Sequence, residues 1–132
     1  MDLTEEFLDE WLQQYFLAWQ SNDPEDIIPL FAEDAIYWYG PFKEPAQGRE
    51  TVVANWIANP AQQKDVKYQF EILATKNDTG VAHWNVNFRT EAKSSVRYEM
   101  DGILLLKFNS EKECTEHREW YVEKQTELNK PE

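Results

Sequence analysis

The sequence predicts an α+β fold in which three N-terminal helices pack on a curved, cone-shaped antiparallel sheet. Apolar residues recur at helical spacing in three segments before residue 60, and from residue 66 onwards they alternate with polar residues as in half-buried strands. Helices followed by a run of strands are typical of α+β domains. Three helices cannot cover both faces of such a sheet, so we expect a twisted sheet that curls around them and leaves a pocket. The 132 residues fit a single domain, 1–132, with one core.

The first helix is predicted over residues 4–20 because its apolar residues form two adjacent rows. One row contains Phe7, Trp11, Tyr15 and Trp19, and the row beside it contains Leu8, Leu12 and Phe16. Two adjacent rows make a wide apolar face, so this helix should be deeply packed.

Two shorter helices are predicted next. Asp23 and Pro24 have the residue types of an N-cap and a first helical position, and Pro29 should keep the second helix short or bent. The third helix is predicted over residues 49–59, where Pro60 stops it. The residues expected to point inward are Ile27, Ile28, Leu30 and Phe31 from the second helix and Val52, Val53, Trp56 and Ile57 from the third.

Four strands are predicted after residue 65 from their period-two alternation, with turns at residues 77–80 and 109–112. The apolar faces of the first three are expected to carry Val66, Tyr68, Phe70, Ile72 and Ala74, then Ala82, Trp84, Val86 and Phe88, then Val96, Tyr98, Met100, Leu104 and Leu106. The last strand is predicted from Glu113 to about Glu123, and the polar tail after it should be frayed.

The net charge of −12 limits the possible partners. Binding to phosphates needs clustered Lys and Arg, so the charge argues against nucleic acid and against anionic membrane surfaces. The acidic N-terminus lacks the basic and then apolar pattern of a signal peptide, and no apolar stretch approaches membrane-spanning length. The single cysteine, Cys114, allows no internal disulfide and fits a reducing compartment. The sequence therefore predicts a soluble, cytoplasmic protein.

Motifs for cofactors and metals are missing from the sequence. There is no Gly-rich phosphate loop and no serine-nucleophile motif. His83 and His117 are the only histidines, and they are expected on opposite faces of the sheet. We therefore predict no metal site and no cofactor.

Several local motifs resemble the nuclear transport factor 2-like superfamily. These are "AEDA" at the start of the first strand, the Gly40-Pro41 turn and "GRE" at the start of the third helix, together with the order of the elements. The segment "FNSEKECTEHREWY" resembles the closing strand pair of the SnoaL-like branch. The resemblance covers nearly the whole chain and implies the cystatin-like, cone-shaped fold. It is less specific for function, because this scaffold carries isomerases, hydrolases, cyclases and non-catalytic binders.

Residues 15–56 also resemble the ketosteroid isomerase pattern. Tyr15 falls where those enzymes have the tyrosine that donates a hydrogen bond to the substrate oxygen. Tyr39 falls at their proton-abstracting aspartate, Trp56 at a supporting tyrosine, and Leu104 near a protonated aspartate. One polar group is therefore matched, and both carboxyl groups are missing. Because a phenol with a pKa of about 10 is a poor base at neutral pH, isomerase chemistry of that type is not predicted.

Three consecutive aromatic residues, Tyr37, Trp38 and Tyr39, precede the Gly40-Pro41 turn. Strand parity puts Tyr37 and Tyr39 on one face, which the resemblance points into the cone, whereas Trp38 points away. The other aromatic residues expected at this cavity are Trp56, Trp84 and Tyr121. Such walls suit a flat, mostly apolar ligand with one or two polar atoms. The alternative is an aromatic-filled core without a ligand.

His117 and Glu119 share one face of the last strand with Tyr121, and the resemblance implies that this face lines the cavity. Residues two apart on a strand lie about 6.5–7 Å apart, so both side chains can reach one ligand. A histidine exchanges protons near neutral pH, and a carboxylate can orient it or act as the base. We therefore predict His117, Glu119 and Tyr15 as catalytic residues, with Tyr15 donating a hydrogen bond to a ligand oxygen. In the alternative, the pair is exposed or only contacts itself at the mouth of the cone.

Asp101-Gly102 lies in the middle of a strand, where a glycine suggests a bulge. A bulge could turn Asp101 inward as a second acid. The other interpretation is an outward Asp101 near Arg89 or Arg97.

The outer face of the sheet is polar but patterned, with His83, Asn85, Asn87, Arg89, Arg97 and Glu99. Members of the superfamily usually pair through this face, so the resemblance implies a homodimer. Three functions remain open: a SnoaL-like enzyme acting on a small apolar metabolite by acid–base catalysis, a binding module without turnover, and a protein-interaction domain with a filled cone. If the cavity binds a ligand, replacing His117 with alanine should weaken binding or activity and leave the fold intact.

Overall fold

The computed structural model describes residues 2–58, 63–90, 92–93 and 95–128. Its helices and strands are α1 (Glu5–Ser21), α2 (Pro24–Ile27), a 3₁₀ turn (Ile28–Leu30), β1 (Phe31–Trp38), β2 (Ala46–Gln47), α3 (Arg49–Ala58), β3 (Gln63–Lys76), β4 (Thr79–Thr90), β5 (Val96–Phe108) and β6 (Cys114–Glu127). The strands form one curved open sheet in the order β2-β1-β6-β5-β4-β3. The predicted α+β fold of three helices and a curved sheet is confirmed.

Neighbouring strands of the sheet are antiparallel except for β1 and β6, which run parallel. This pair joins an early strand to the last one and sets Tyr37 directly beside His117. Residues 80 positions apart in the chain therefore become neighbours on the face of the sheet that packs against the helices, which we call the inner face.

Helix α1 covers the inner face, as its two apolar rows predict. The Thr4 hydroxyl caps its start by accepting from the backbone N–H of Phe7, and Asn22 ends it in the left-handed conformation. Its buried residues are Leu8, Trp11, Leu12, Tyr15, Phe16 and Ala18. The indole N–H of Trp11 donates to the backbone carbonyl of Leu30, which ties the helix to the chain entering β1.

The two short helices depart from the prediction at one residue each. Pro29 limits α2 to one turn followed by the 3₁₀ turn, and this turn leaves Ile28 41% exposed rather than inward. In α3, Val52 and Val53 are buried, but Ile57 is 45% exposed because it lies in the last turn, beyond the buried part of the helix. The predicted stop at Pro60 lies outside the described residues.

The predicted alternation holds along the strands with two corrections in β3 and β6. The pairing of β3 with β4 shifts between Ile72 and Ala74, so Ala74 is exposed instead of continuing the inner face. Strand β6 continues to Glu127, where the sequence suggested a frayed tail after Glu123. Residues 129–132 lie outside the described part of the chain.

Gly102 does not form a bulge, because its pairing with Trp84 on β4 and Tyr121 on β6 is continuous. A Cβ atom at this position would lie 2.8 Å from Cβ of Tyr121, so glycine serves a close approach between β5 and β6. Without a bulge, Asp101 points outward. It contacts His83 and Asn85 instead of the predicted arginines.

The outer face of the sheet combines polar pairs with exposed apolar side chains. Arg97 bonds to Asn87 and Asp65, and Asn85 donates to Glu99. Beside them Trp120 and Val122 are 41% and 73% exposed. Among the described residues, no helix combines the length and apolar character that a membrane span requires.

Candidate ligand-binding site

A cavity of about 300 Å³ opens between the C-terminal end of α1, helix α3 and the inner faces of β1, β5 and β6. Its volume is at the lower end of the range for small-molecule pockets. Aromatic rings and neutral polar groups make up most of its wall, together with one carboxyl group among the described residues. The lining residues are Trp19, Gln20, Ser21, Asn22, Tyr37, Tyr39, Asn55, Trp56, Gln63, Met100, Glu119 and Tyr121.

A continuous hydrogen-bond chain of four side chains leads from this wall into the core. The Tyr37 hydroxyl donates to Oε1 of Glu119 across 3.0 Å and lies 3.0 Å from the Tyr15 hydroxyl. The Tyr15 hydroxyl lies 3.0 Å from Nε2 of His117. We call this set, His117–Tyr15–Tyr37–Glu119, the inner chain. It joins α1, β1 and β6 at side chains up to 102 positions apart in sequence.

Burial dominates the electrostatics of the inner chain. It raises the pKa of Glu119 to about 7, and the hydrogen bond from Tyr37 and the nearby Lys43 offset only part of the rise. Burial lowers the pKa of His117 to about 3, so the imidazole is neutral at physiological pH. Burial and then the negative charge of Glu119 raise the pKa values of Tyr15 and Tyr37, so both phenols keep their protons. Glu119 is thus the member that titrates near neutral pH.

The positions of the protons in the inner chain follow from donor counting. When Tyr37 donates to an ionised Glu119, the short contact between the two phenols requires Tyr15 to donate to Tyr37. Tyr15 then accepts from Nε2–H of His117, and Nδ1 of His117 is the unprotonated nitrogen. Nδ1 has no hydrogen-bond partner among the described residues.

Packing fixes His117 as firmly as its hydrogen bond does. The imidazole is fully buried and stacks on the Tyr37 ring with 3.7 Å between ring centroids and 10° between planes. The Tyr15 ring lies on it at 5.4 Å and Phe31 at 6.5 Å. His117 therefore belongs to the core behind the cavity wall.

The sequence-predicted site residues divide into three groups. Glu119, Tyr37, Tyr39, Trp56 and Tyr121 line the cavity. Tyr15 and His117 do not line it, and their hydrogen bonds lead to it through Tyr37. Trp84 corrects the expected convergence, because it is 1% exposed and packs in the core against Trp19 and Tyr121. Tyr15 also differs from the expected ligand donor, since both of its hydrogen bonds go to Tyr37 and His117.

A SnoaL-like domain model matches residues 12–117 of the chain. The chain belongs to the SnoaL-like family. Among solved structures, a similar one is a hypothetical protein with a ketosteroid isomerase-like fold from Catenulispora acidiphila DSM 44928, in complex with trimethylamine. The two chains are 18% identical with a TM-score of 0.72, over 86% of this chain and 85% of that one. A search of curated proteins gives no significant match.

Two positions of this SnoaL-like domain bear on the isomerase resemblance. Leu104, which falls near the protonated aspartate of those enzymes, is fully buried and pairs directly with Glu119 on the next strand. The inner face therefore does carry a carboxyl group beside that position, supplied by β6. Tyr39, which the resemblance aligned with the proton-abstracting aspartate of those enzymes, contributes a buried hydroxyl that makes no hydrogen bond of standard geometry, although Asn55 lies next to it.

Sequence reasoning missed several lining residues of the SnoaL-like cavity. Trp19 and Met100 read as ordinary core residues because they continue apolar rows. In the fold they lie at the open end of α1 and near the start of β5, where the core gives way to the cavity. Gln63 carried no signal, and it accepts a hydrogen bond from the indole N–H of Trp19.

Metal-binding and thiol chemistry find little support in the part of the chain that the structure describes. No group of three or more His, Cys, Asp or Glu side chains is arranged there to hold a metal ion. Cys114 is buried, and burial raises the pKa of its thiol well above the usual value.

Proposed function

We propose that this SnoaL-like domain binds a small, mostly apolar molecule in the cavity and that Glu119 exchanges a proton with it. The observation that carries this proposal is a buried carboxyl group in an aromatic-lined wall, with its pKa raised to about 7. A general acid or base is most effective when its pKa is close to the working pH. A carboxyl group at its usual pKa of 4.5 would be too weak a base for this role.

The other members of the inner chain act on Glu119 rather than on the ligand in this proposal. Tyr37 holds Oε1 of Glu119 at 3.0 Å and forms part of the wall itself. Tyr15 and His117 hold Tyr37, one through a hydrogen bond and the other by ring stacking. They are positioning residues, and Tyr39, Trp56 and Tyr121 supply apolar contact area.

A binding module without turnover is the second candidate. It is favoured by the composition of the wall, in which Glu119 is the sole carboxyl among the described lining residues and no histidine takes part. The similar C. acidiphila protein is in complex with a small molecule, trimethylamine, which agrees with a small-molecule ligand in either case. A filled, purely interacting cone fits the 300 Å³ cavity less well.

A thermal-shift screen against small apolar metabolites tests binding, and the Glu119→Gln variant tests catalysis. A ligand at one hundred times its Kd should stabilise the fold by about 2.7 kcal/mol. Each ligand found is then incubated with stoichiometric protein and analysed by mass spectrometry. Product formed by the natural chain and lost in Glu119→Gln supports catalysis. Tight binding with no conversion supports the binding module.

A homodimer through the outer face of the sheet is proposed as well. Trp120 and Val122 are both exposed there, two positions apart on the same face of β6, and neighbouring exposed apolar residues mark interaction surfaces. Light scattering of the natural chain should give twice the chain mass at micromolar concentration. The Trp120→Lys variant should be monomeric, and Leu17→Lys, which changes a similarly exposed apolar residue on α1, should remain dimeric.

A further inference from the structure

The geometry points to a class of ligand for the proposed cavity: an organic cation with an alkylammonium group attached to an apolar body. This inference rests on the proposed function and deepens it. It is carried by two observations: the one carboxyl group among the described lining residues has no positive partner there, and it shares the cavity wall with several aromatic rings.

Glu119 has no cation of its own among the described residues. The nearest nitrogen able to carry a positive charge is Nδ1 of His117, 3.9 Å from Oε1. That imidazole is fully buried and neutral, because burial lowers its pKa to about 3. Lys43 on the loop after β1 is close enough to lower the pKa of Glu119 but forms no ion pair with it. A positive charge brought by a ligand would be the first direct partner of this carboxylate.

The hydrogen bonds of Glu119 also leave room for a ligand. Oε1 accepts from Tyr37, and Oε2 accepts no hydrogen bond within the described part of the chain. Glu119 is 7% exposed, and that exposure faces the cavity because the residue lies in its wall. A buried carboxylate with an unused oxygen is costly unless a donor or a cation compensates for the lost water.

The aromatic rings in the cavity wall are the second feature that favours a cation. Trp19, Tyr39, Trp56 and Tyr121 line the same cavity as Glu119. Aromatic rings attract ammonium groups through the negative charge of their faces, and they offer apolar contact to the methyl groups of an alkylammonium. A carboxylate together with several aromatic rings therefore favours a positive ligand over a neutral one of equal shape.

The net charge of the whole chain also favours a positive ligand. The net charge of −12 attracts cations and repels anions over the surface. The polar residues in the wall, Gln20, Ser21, Asn22, Asn55 and Gln63, are neutral and do not oppose a positive ligand.

A matched pair of probes separates charge from shape. Benzyldimethyl(2-hydroxyethyl)ammonium and 3,3-dimethyl-4-phenylbutan-1-ol have the same skeleton, with a permanently charged nitrogen replaced by carbon. Affinities are measured at pH 8, where Glu119 is ionised, by calorimetry and by chemical-shift perturbation that locates the binding site. We expect the cation to bind at least about tenfold more tightly, since both the carboxylate and the rings favour it.

Two variants, each of which removes one negative charge, show which carboxylate causes the preference for the cation. In Glu119→Gln the preference for the cation should fall to within about threefold, because only the rings then favour it. In Glu71→Gln, which removes a carboxylate from the exposed outer face, the preference should be unchanged. Persistence of the preference in Glu119→Gln would overturn the assignment.

The outcome also separates this inference from the proposed function. Equal or tighter binding of the alcohol in the cavity would reject a cationic ligand and keep the small-molecule site. Failure of both probes to perturb cavity residues at millimolar concentration would count against both.

Discussion

The two histidines of this chain each lie beside carboxyl groups, on opposite faces of the same sheet, and their environments have opposite effects. On the inner face His117 is fully buried, 3.9 Å from Glu119. On the outer face His83 lies 2.9 Å from Asp101 and 3.4 Å from Glu71, with 38% of its side chain exposed. The hydrogen bond to Asp101 raises the pKa of His83, whereas burial lowers that of His117 to about 3.

The comparison shows that access to water, more than proximity, decides which group is charged. In the outer cluster (His83, Glu71, Asp101 and Asn85) solvent reaches the charged forms, so the pKa of His83 is raised and the pKa of Asp101 is lowered by its bonds to Asn85 and His83. In the inner chain the cost of desolvation exceeds the attraction between the two groups, so the histidine is neutral and the carboxyl group titrates near pH 7. A search for paired His and Glu alone would treat the two clusters as equivalent.

Replacing each histidine with alanine should give the largest difference between the faces. His117→Ala removes a fully buried ring stacked on Tyr37 and should lower the free energy of unfolding by about 3–5 kcal/mol. His83→Ala should cost less than about 1 kcal/mol, because its contacts are solvated. Denaturant unfolding of both variants measures the difference. This reverses the sequence-based expectation that His117→Ala leaves the fold intact, which assumed a cavity wall.

The His117→Phe variant separates packing from hydrogen bonding at this position. It keeps the ring stack and removes Nε2, so it should cost only about 1–2 kcal/mol. If His117→Ala lowered the free energy of unfolding by less than about 1 kcal/mol, packing of the His117 ring would contribute little to stability. The predicted difference between His117 and His83 would then be wrong.

The second prediction concerns the pH dependence that Glu119 imposes on stability. Because its pKa rises from 4.5 to about 7 on folding, the folded chain binds more protons than the unfolded chain in this window. The contribution of Glu119 to stability should therefore fall as pH rises from about 4.5 through 7, and the difference between the natural chain and Glu119→Gln isolates this contribution. Glu119→Gln should remove this fall and raise the free energy of unfolding at pH 8.5 by up to about 3 kcal/mol. At pH 4 the two proteins should be similar.

The matched change on the outer face is Asp101→Asn. The pKa of Asp101 is lowered on folding, so its contribution has the opposite sign: it is present above the unfolded pKa and is lost as pH falls. With 46% of its side chain exposed, Asp101→Asn should change stability little at pH 8.5. Equal pH profiles for the natural chain and Glu119→Gln would mean that Glu119 is not desolvated.

His117 contributes to the pH dependence with the opposite sign to Glu119. Because its pKa is lowered on folding, stability should be lost as pH falls below 6.5 in both proteins.

The inner chain also shows how far the sequence alone could predict this site. Strand parity placed His117, Glu119 and Tyr121 on one face, and it placed Tyr37 and Tyr39 together, because alternation is a local property. It could not show that His117 lies behind Tyr37, since that depends on the parallel pairing of β1 with β6. Trp84 was misplaced for a similar reason. Parity gives the face of the sheet but not how far along the strand the cavity extends.

Local signals also explain the errors in the strands. The glycine at position 102 suggests a bulge in any single strand, and only the approach of Tyr121 from β6 shows that it relieves crowding. The shift at Ala74 has no glycine or proline to announce it. The fold was predictable because helical and strand periods persist over many residues, whereas these features depend on single contacts.

The third prediction uses two tyrosines of the cavity wall as a matched pair. Tyr37→Phe removes the donor to Glu119 and should cost about 1–2 kcal/mol at pH 8.5, as expected for a bond to a charged group. Tyr39→Phe removes a hydroxyl that makes no hydrogen bond of standard geometry and should cost less than about 0.5 kcal/mol. Carbon-13 NMR should show that Tyr37→Phe raises the pKa of Glu119 further, because that hydrogen bond favours the ionised form. An unchanged pKa of Glu119 would show that the hydrogen bond from Tyr37 does not influence the ionisation of Glu119.

The smallest expected effect concerns salt, which should act on one face only. The pKa of His83 is raised by exposed carboxylates, and the stability that this gives is present below pH 6.5 and is lost as pH rises through the folded pKa. These charges are solvated, and 1 M NaCl shortens the Debye length to about 3 Å. The added salt should therefore return the pKa of His83 towards its usual value.

His117 should show no titration between pH 4.5 and 8.5 at either salt concentration, because its shift comes from burial and not from a screened charge. A His117 that titrates with salt sensitivity like that of His83 would mean that water reaches the inner chain, and the distinction between the two faces would be lost.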